Sequence, residues 1–203
     1  GGVVRRREGR FEALTTKDGL ASDNVITLYW DRHDNLWIGT LGGLSRYRAG
    51  VLTTFRTKDG LPEGAVYAML EDKDGNFWVG TEGGLCRFRN GAFEVFTEAE
   101  GLSGNRIRCL FEDREGSLWA GTFGAGLNRF QDGKFTIYSA SEGLASNGIG
   151  PLYQDRSGDI WIGTLGGGVS RFRDGRFTTL TSADGLANDR VESICQDREG
   201  SLW

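Results

Sequence analysis

Few residues in this chain could do chemistry, and their spacing argues against most of it. His33 is the single histidine, and no Gly-x-Ser-x-Gly motif supplies a nucleophile for it. A Ser/His/Asp set therefore cannot be assembled around it. Asp72-Lys73-Asp74-Gly75-Asn76 begins like a calcium loop, with carboxylates spaced around a glycine turn. It lacks the glutamate six residues beyond that glycine, so a hairpin turn is the better reading. Cys86, Cys109 and Cys195 are odd in number and have no metal-ligand spacing; they read as small apolar core or strand residues. Gly39-Thr40 and Gly163-Thr164 lack the lysine of a phosphate-binding loop. Paired carboxylates stay open, with nothing pointing to them. The expectation is no enzyme, no metal and no cofactor.

The elements that would position any site come from an internal repeat. Gly-Leu recurs at Gly19-Leu20, Gly60-Leu61, Gly101-Leu102, Gly143-Leu144 and Gly185-Leu186, and tryptophans stand at 37, 78, 119, 161 and 203. The third copy divides into four short strands: Ile107 to Glu112, Ser117 to Thr122, Leu127 to Phe130 and Lys134 to Tyr138. Asp113-Arg114-Glu115-Gly116 supplies the first turn, and Asp132-Gly133 supplies a hairpin. A polar loop leads to the next copy. Four strands with tight turns make an antiparallel meander the size of a propeller blade, which needs stacked neighbours to cover its faces. The content of 33 glycines against 2 prolines suits that design. The fold class is therefore all-β, a β-propeller of four-stranded antiparallel blades forming one domain over 1–203. Blades span 19–59, 60–100, 101–142 and 143–184, with a composite fifth from 185–203 plus 1–18. Either the chain closes as a five-bladed ring with its ends sharing a blade, or it is a slice of a larger ring.

Positions common to all copies read as scaffold. The aspartates at 31, 72, 113, 155 and 197 are turn residues. The arginines at 46, 87, 129 and 171, with Arg5 in the matching place, make a repeated inter-strand or inter-blade bond; a ring of arginines facing an anion is the sharper alternative. Positions that vary are the better site candidates. After the recurring Val or Ile stand Ile26, Tyr67, Arg108, Gly150 and Glu192; before it stand Asn24, Ala65, Arg106, Gly148 and Arg190. The neighbouring glycine loop offers Leu41, Glu82, Phe123 and Leu165. Tyr67, Glu82, Arg106, Arg108, Phe123, Arg190 and Glu192 would put aromatic, cationic and anionic groups around one concave mouth, a setting for a small ligand. The other reading is that these are unconstrained loop residues.

The linked pattern of Gly-Leu, Asp-x-x-Gly-Asn/Ser-Leu-Trp-Ile-Gly-Thr and Gly-Gly-Leu-Ser-Arg resembles the two-component regulator propeller repeat. The second copy shows it in Gly60-Leu61-Pro62, Asp72-Lys73-Asp74-Gly75-Asn76-Phe77-Trp78-Val79-Gly80-Thr81 and Gly83-Gly84-Leu85. The resemblance covers essentially the whole chain. It implies a periplasmic or extracellular sensor of a histidine kinase, hybrid regulator or diguanylate cyclase. It further implies a partner or attached signalling domain and a ligand that could be glycan-derived. That family's propellers usually have seven blades, where this chain has five copies.

Composition narrows the partners. The net charge is −4, with no basic block beyond Arg5-Arg6-Arg7, so nucleic acid is not expected. No apolar run is long enough to span a bilayer, and no membrane contact is expected from this segment. The start at Gly1-Gly2 without a signal peptide reads as a piece of something larger or an engineered chain. Two rivals to a ligand sensor stand. One is a protein-interaction or engineered five-bladed scaffold without a small ligand; the other is a lyase or hydrolase with a metal or carboxylate pair at the mouth.

Overall fold

A computed structural model describes residues 1–203. The chain divides into two compact units, Gly1–Phe96 and Thr97–Trp203. The first holds a hairpin, β1 (Val3–Arg7) with β2 (Arg10–Leu14), and two antiparallel four-stranded sheets. These are β3 (Val25–Trp30), β4 (Leu36–Thr40), β5 (Gly43–Arg48), β6 (Val51–Phe55), then β7 (Val66–Glu71), β8 (Phe77–Thr81), β9 (Leu85–Arg89), β10 (Ala92–Phe96). The second unit holds β11 (Ile107–Glu112), β12 (Leu118–Thr122), β13 (Leu127–Gln131), β14 (Lys134–Tyr138), and β15 (Ile149–Gln154), β16 (Ile160–Thr164), β17 (Val169–Arg173), β18 (Arg176–Leu180). Each sheet is a meander in sequence order, as in a propeller blade. Residues 185–203 form no extended strand and carry the isolated bridges Leu165↔Arg190 and Gln196↔Leu202.

The turn aspartates do more than turn the chain. Asp31 Oδ1 accepts the backbone N–H groups of His33 and Asn35, each at 2.9 Å, while its Oδ2 accepts the Trp37 indole at 2.7 Å. Asp72, Asp113, Asp155 and Asp197 repeat the bond to Trp78, Trp119, Trp161 and Trp203. One carboxylate thus closes the first hairpin and fixes the tryptophan six residues on. The third hairpin uses paired left-handed residues, such as Asp132 at φ 51° and Gly133 at φ 75°, which suit the sheet twist.

The polar loop between repeats is a capped 3-10 turn. Thr15, Thr97, Ser139 and Thr181 each accept an N–H of the turn, and Asp18, Glu100, Glu142 and Asp184 reach back to the cap. These capping bonds hold the exposed carboxylates of Asp18, Glu100 and Glu142 below their usual range. The following Gly-Leu is explained too: Gly19, Gly60, Gly101, Gly143 and Gly185 all take left-handed φ to end the turn.

The recurring arginines lie across the strand from the tryptophans. Arg46, Arg87, Arg129 and Arg171 pair in register with Trp37, Trp78, Trp119 and Trp161. Their guanidinium carbons sit 5.3–5.7 Å from those indole rings, a cation–π contact. The inter-strand expectation holds. Arg5 instead pairs with Glu12 and meets the Tyr47 ring.

Within each unit, repeats join by the same three devices. Trp37 stacks on Phe77 of the next sheet at 4.4 Å, and Trp119 meets Phe172 edge-on at 5.6 Å. The backbone N–H of Arg32 or Arg114 donates to Glu71 or Gln154, the last first-strand residue of the next repeat, and that of Arg156 donates to Gln196 at the matching sequence position. The same arginine side chains reach backbone carbonyls of the next turn, such as Arg114 to Asp155 at 2.8 Å and Arg156 to Arg198 at 2.8 Å. Third, the glycine before each repeat's Thr admits the next first strand. A Cβ on Gly39 would lie 2.8 Å from Val66 Cγ1 and 2.7 Å from Thr27 Cγ2. Gly39→Ala is therefore expected to destabilise by about 1–3 kcal/mol through overpacking, read as a lowered urea midpoint at unchanged slope.

Candidate functional site

Each complete repeat bulges at the variable position of its first strand. The register slips across Ile26, across Tyr67, across Arg108 and across Gly150-Pro151. A bulged residue leaves the ladder and its side chain can be re-aimed, which is why bulges gather beside binding sites. The loop after the second strand is tied to the same place. The backbone N–H groups of Leu41, Glu82, Phe123 and Leu165 donate to the carbonyls of Asn24, Ala65, Arg106 and Gly148, at 3.0, 3.0, 3.1 and 2.9 Å. Both variable sets therefore meet at one end of every sheet.

In the unit Thr97–Trp203, five of the seven candidate residues form one chain of contacts. The Arg106 and Arg108 guanidinium carbons lie 4.8 and 5.4 Å from the centre of the Phe123 ring. Arg108 Nη2 is 3.5 Å from Glu192 Oε2, and Arg190 Nε donates to Glu192 Oε1 at 2.5 Å. Gly150, at the bulge of the intervening repeat, has no side chain to stand between Arg108 and Glu192. Arg106, Arg190 and Glu192 are exposed, while Arg108 and Phe123 are half-buried. Beside them lies a depression of about 470 Å³, lined by Gly104, Asn105, Arg106, Phe123, Gly124 and Ala125 among others. This loop carries one more residue than in the first two repeats, and a Cβ on its Gly124 would meet nothing within 4 Å.

The other two candidates belong to the unit Gly1–Phe96. Tyr67 sits half-buried at the β7 bulge, and Glu82 is exposed just after β8. A smaller depression of about 290 Å³ opens at that unit's loop end, between Leu41–Gly43 and Leu61–Gly64.

Sequence reasoning missed Asn105, whose Oδ1 accepts the Glu98 N–H at 2.9 Å and holds the depression's wall. Asp23, Asn147 and Asp189 do the same in their repeats; an Asx seven residues after the turn's first residue was the available signal. At the opposite end of the third and fourth sheets lies a polar depression of about 440 Å³. There the charges pair with one another, Asp159 with Arg171 and Arg173, and Asp113 with Arg129, which also donates to Ser117 Oγ at 3.0 Å.

The remaining reactive groups are placed for structure. Burial pushes the Cys86 thiol up to about 12 and, opposed in part by a hydrogen bond at Gly121 and the charge of Arg108, the Cys109 thiol up to about 12. Neither is a thiolate at neutral pH. Cys195, against the expectation of a small apolar residue, is exposed. His33 stands in an exposed turn with Nδ1 3.8 Å from Glu71. No group of three or more His, Cys, Asp or Glu residues is arranged to hold a metal. No helix is long and apolar enough to cross a membrane.

The two component regulator propeller model matches residues 19–42, 60–83, 101–124 and 143–166. Among solved structures, the chain is similar to the extracellular domain named for the hybrid two component system BT3049 of B. thetaiotaomicron. It is 27% identical at a TM-score of 0.80, over 100% of this chain and 28% of that one. The corresponding domain of BT4673 matches at 23% identity and a TM-score of 0.63, over 100% of this chain and 32% of that one. The chain thus spans about a third or less of either. A virginiamycin B lyase from Staphylococcus aureus shares the fold, at 15% identity and a TM-score of 0.70, over 89% of this chain and 62% of that one. No curated protein matches the chain.

Proposed function

Two component regulator propeller repeats match four evenly spaced stretches of the chain, and on that premise we propose that it is a non-catalytic, extracytoplasmic sensor module of a signal-transduction protein. Its sheets serve as propeller blades. A small soluble ligand binds at the loop end of the third repeat, and an attached or partner signalling domain receives the event. The observation that carries this reading is the convergence of Arg106, Arg108, Phe123, Arg190 and Glu192, from three separated stretches of sequence, beside an open depression. A glycan fragment suits such a place: a sugar's apolar face stacks on an aromatic ring, while its hydroxyls take up the fixed charges. The extracellular domains similar to this chain support the compartment.

A thermal-shift panel of mono- and oligosaccharides tests the reading. A ligand of this site raises Tm by mass action. Phe123→Ala and Arg108→Ala are each expected to weaken its affinity about tenfold or more, about 1.4 kcal/mol. Ligands whose affinity is untouched by both substitutions would place the site elsewhere.

A further inference from the structure

Arg108, Gly150 and Glu192 hold the same place in three successive copies of the repeat. The middle one lets the outer two meet. A Cβ on Gly150 would lie 2.8 Å from the Val191 carbonyl oxygen, so any other residue there would have to move that backbone. Val191 itself is pinned, its N–H donating to the Thr164 carbonyl at 3.0 Å. The N–H groups of Gly166 and Gly168 donate to the Asp189 carbonyl at 3.2 and 2.7 Å, and Leu165 bridges Arg190. Glu192 therefore follows directly on a fixed stretch of chain, and that stretch sets where its carboxylate reaches.

The contact it makes there is loose. Arg108 Nη2 stands 3.5 Å from Glu192 Oε2, well beyond the roughly 2.7–2.9 Å of a charge-assisted hydrogen bond. The other oxygen of the same carboxylate is taken by Arg190 at 2.5 Å. The guanidinium of Arg108 has no second carboxylate partner; its other neighbour is the Phe123 ring, which it shares with Arg106. The Arg108 and Glu192 side chains are 27% and 56% exposed, and an exposed ion pair at that distance adds little stability. Displacing Glu192 from Arg108 thus costs little. In and beside the depression, the guanidiniums of Arg106, Arg108 and Arg190 stand against the carboxylates of Glu98 and Glu192, which leaves a positive surplus for a ligand to neutralise.

We propose that Glu192 is a built-in stand-in for the acidic group of the ligand, and that the ligand is a uronic acid or an oligosaccharide that ends in one. The ligand carboxylate takes the fork of Arg108 bidentately, as guanidinium and carboxylate geometry favour. Glu192 withdraws to Arg190 alone, and the sugar ring lies in the depression beside Phe123 and Gly124. The group is a carboxylate because a carboxylate is what the chain itself presents at this place. This inference rests on the sensor reading given above and names its ligand class.

Calorimetric titration of the full chain with glucuronic and galacturonic acid tests it, with glucose and galactose as neutral parents and glucose 6-sulfate as the other anion. Each acid is expected to bind at least about tenfold tighter than its parent, an advantage that shrinks as salt is added. Glu192→Gln is expected to tighten the acids about threefold, the size of an exposed ion pair, and to leave the neutral sugars unchanged. A residue that only held its loop would tighten neither. Arg108→Ala should remove the preference for acid over parent, and unchanged circular dichroism would show that both variants fold. Neutral sugars binding as tightly as the acids, at a site that Phe123→Ala removes, would overturn this proposal and leave the sensor reading standing. A sulfate ester preferred over both uronates would overturn it as well. So would the absence of binding by either uronate, and the sensor reading would then rest on the neutral saccharides alone.

Discussion

Trp37→Ala is expected to cost about 3–5 kcal/mol, the range for removing a large aromatic side chain from a packed interior. The side chain is 2% exposed, stacks on Phe77 at 4.4 Å and on Phe55 at 5.8 Å, and meets Phe88 edge-on at 5.4 Å. Phe77 and Phe88 belong to the next repeat, so the loss falls on the joint between sheets as well as on one sheet. Repeat stability is a sum of intrinsic and nearest-neighbour terms, and here the neighbour term goes. Urea unfolding followed by tryptophan fluorescence and by circular dichroism should show a lower midpoint. The two probes should also separate as the joint loosens. Coincident transitions with a loss under about 1 kcal/mol would mean that the stacked pair contributes little beyond its area.

The second large effect is on the turn lock. Asp31 is 8% exposed and takes four hydrogen bonds, from two backbone N–H groups, the Asn35 amide and the Trp37 indole. Asp31→Ala leaves those donors without their acceptor, and about 3 kcal/mol is expected from the unmade bonds. Asp31 and Trp37 are partners, so the double variant should lose less than the sum of the single losses. Burial alone would raise the Asp31 carboxyl, but the bonds from Trp37, Asn35 and His33 outweigh it and hold the group below its usual range. Asp155 behaves likewise: burial opposes, and Trp161, the Asp159 and Ser157 backbone and the charge of Arg171 prevail. A folded-state pKa below the unfolded one gives stability that is fully present above the unfolded value, about 4. That stability drains away as pH falls through the depressed folded value. Stability measured from pH 6 downward should therefore fall in the wild type, and Asp31→Asn should flatten part of that fall.

Strand positions in the third repeat were legible because two turns pin the chain from outside. Asp113 to Gly116 and Asp132-Gly133 fix where strands can begin, and the edges differ by a single residue at Leu118 and Gln131. The capped turn was legible in principle, since Thr97-Glu98-Ala99-Glu100 spells a capping box. It was hidden by reading a polar stretch as a loop. The arginine seats were not legible, because only the register sets Arg129 opposite Trp119. The bulge was not legible either, though its position showed as the place where repeats differ. At the site, the kinds of residue were readable, but their grouping was not. Arg108 reaches Glu192 past a repeat that carries Gly150, and no spacing rule says which side chains cross that gap.

Amide hydrogen exchange of the chain with and without a ligand found by thermal shift tests the sensor reading most directly. The expected footprint is slowed exchange at Gly104–Arg108 and Thr122–Gly126, with the Asp113–Gly116 turn unchanged. Protection confined to that turn and to Ser157–Asp159, at the opposite end of the sheets, would contradict it.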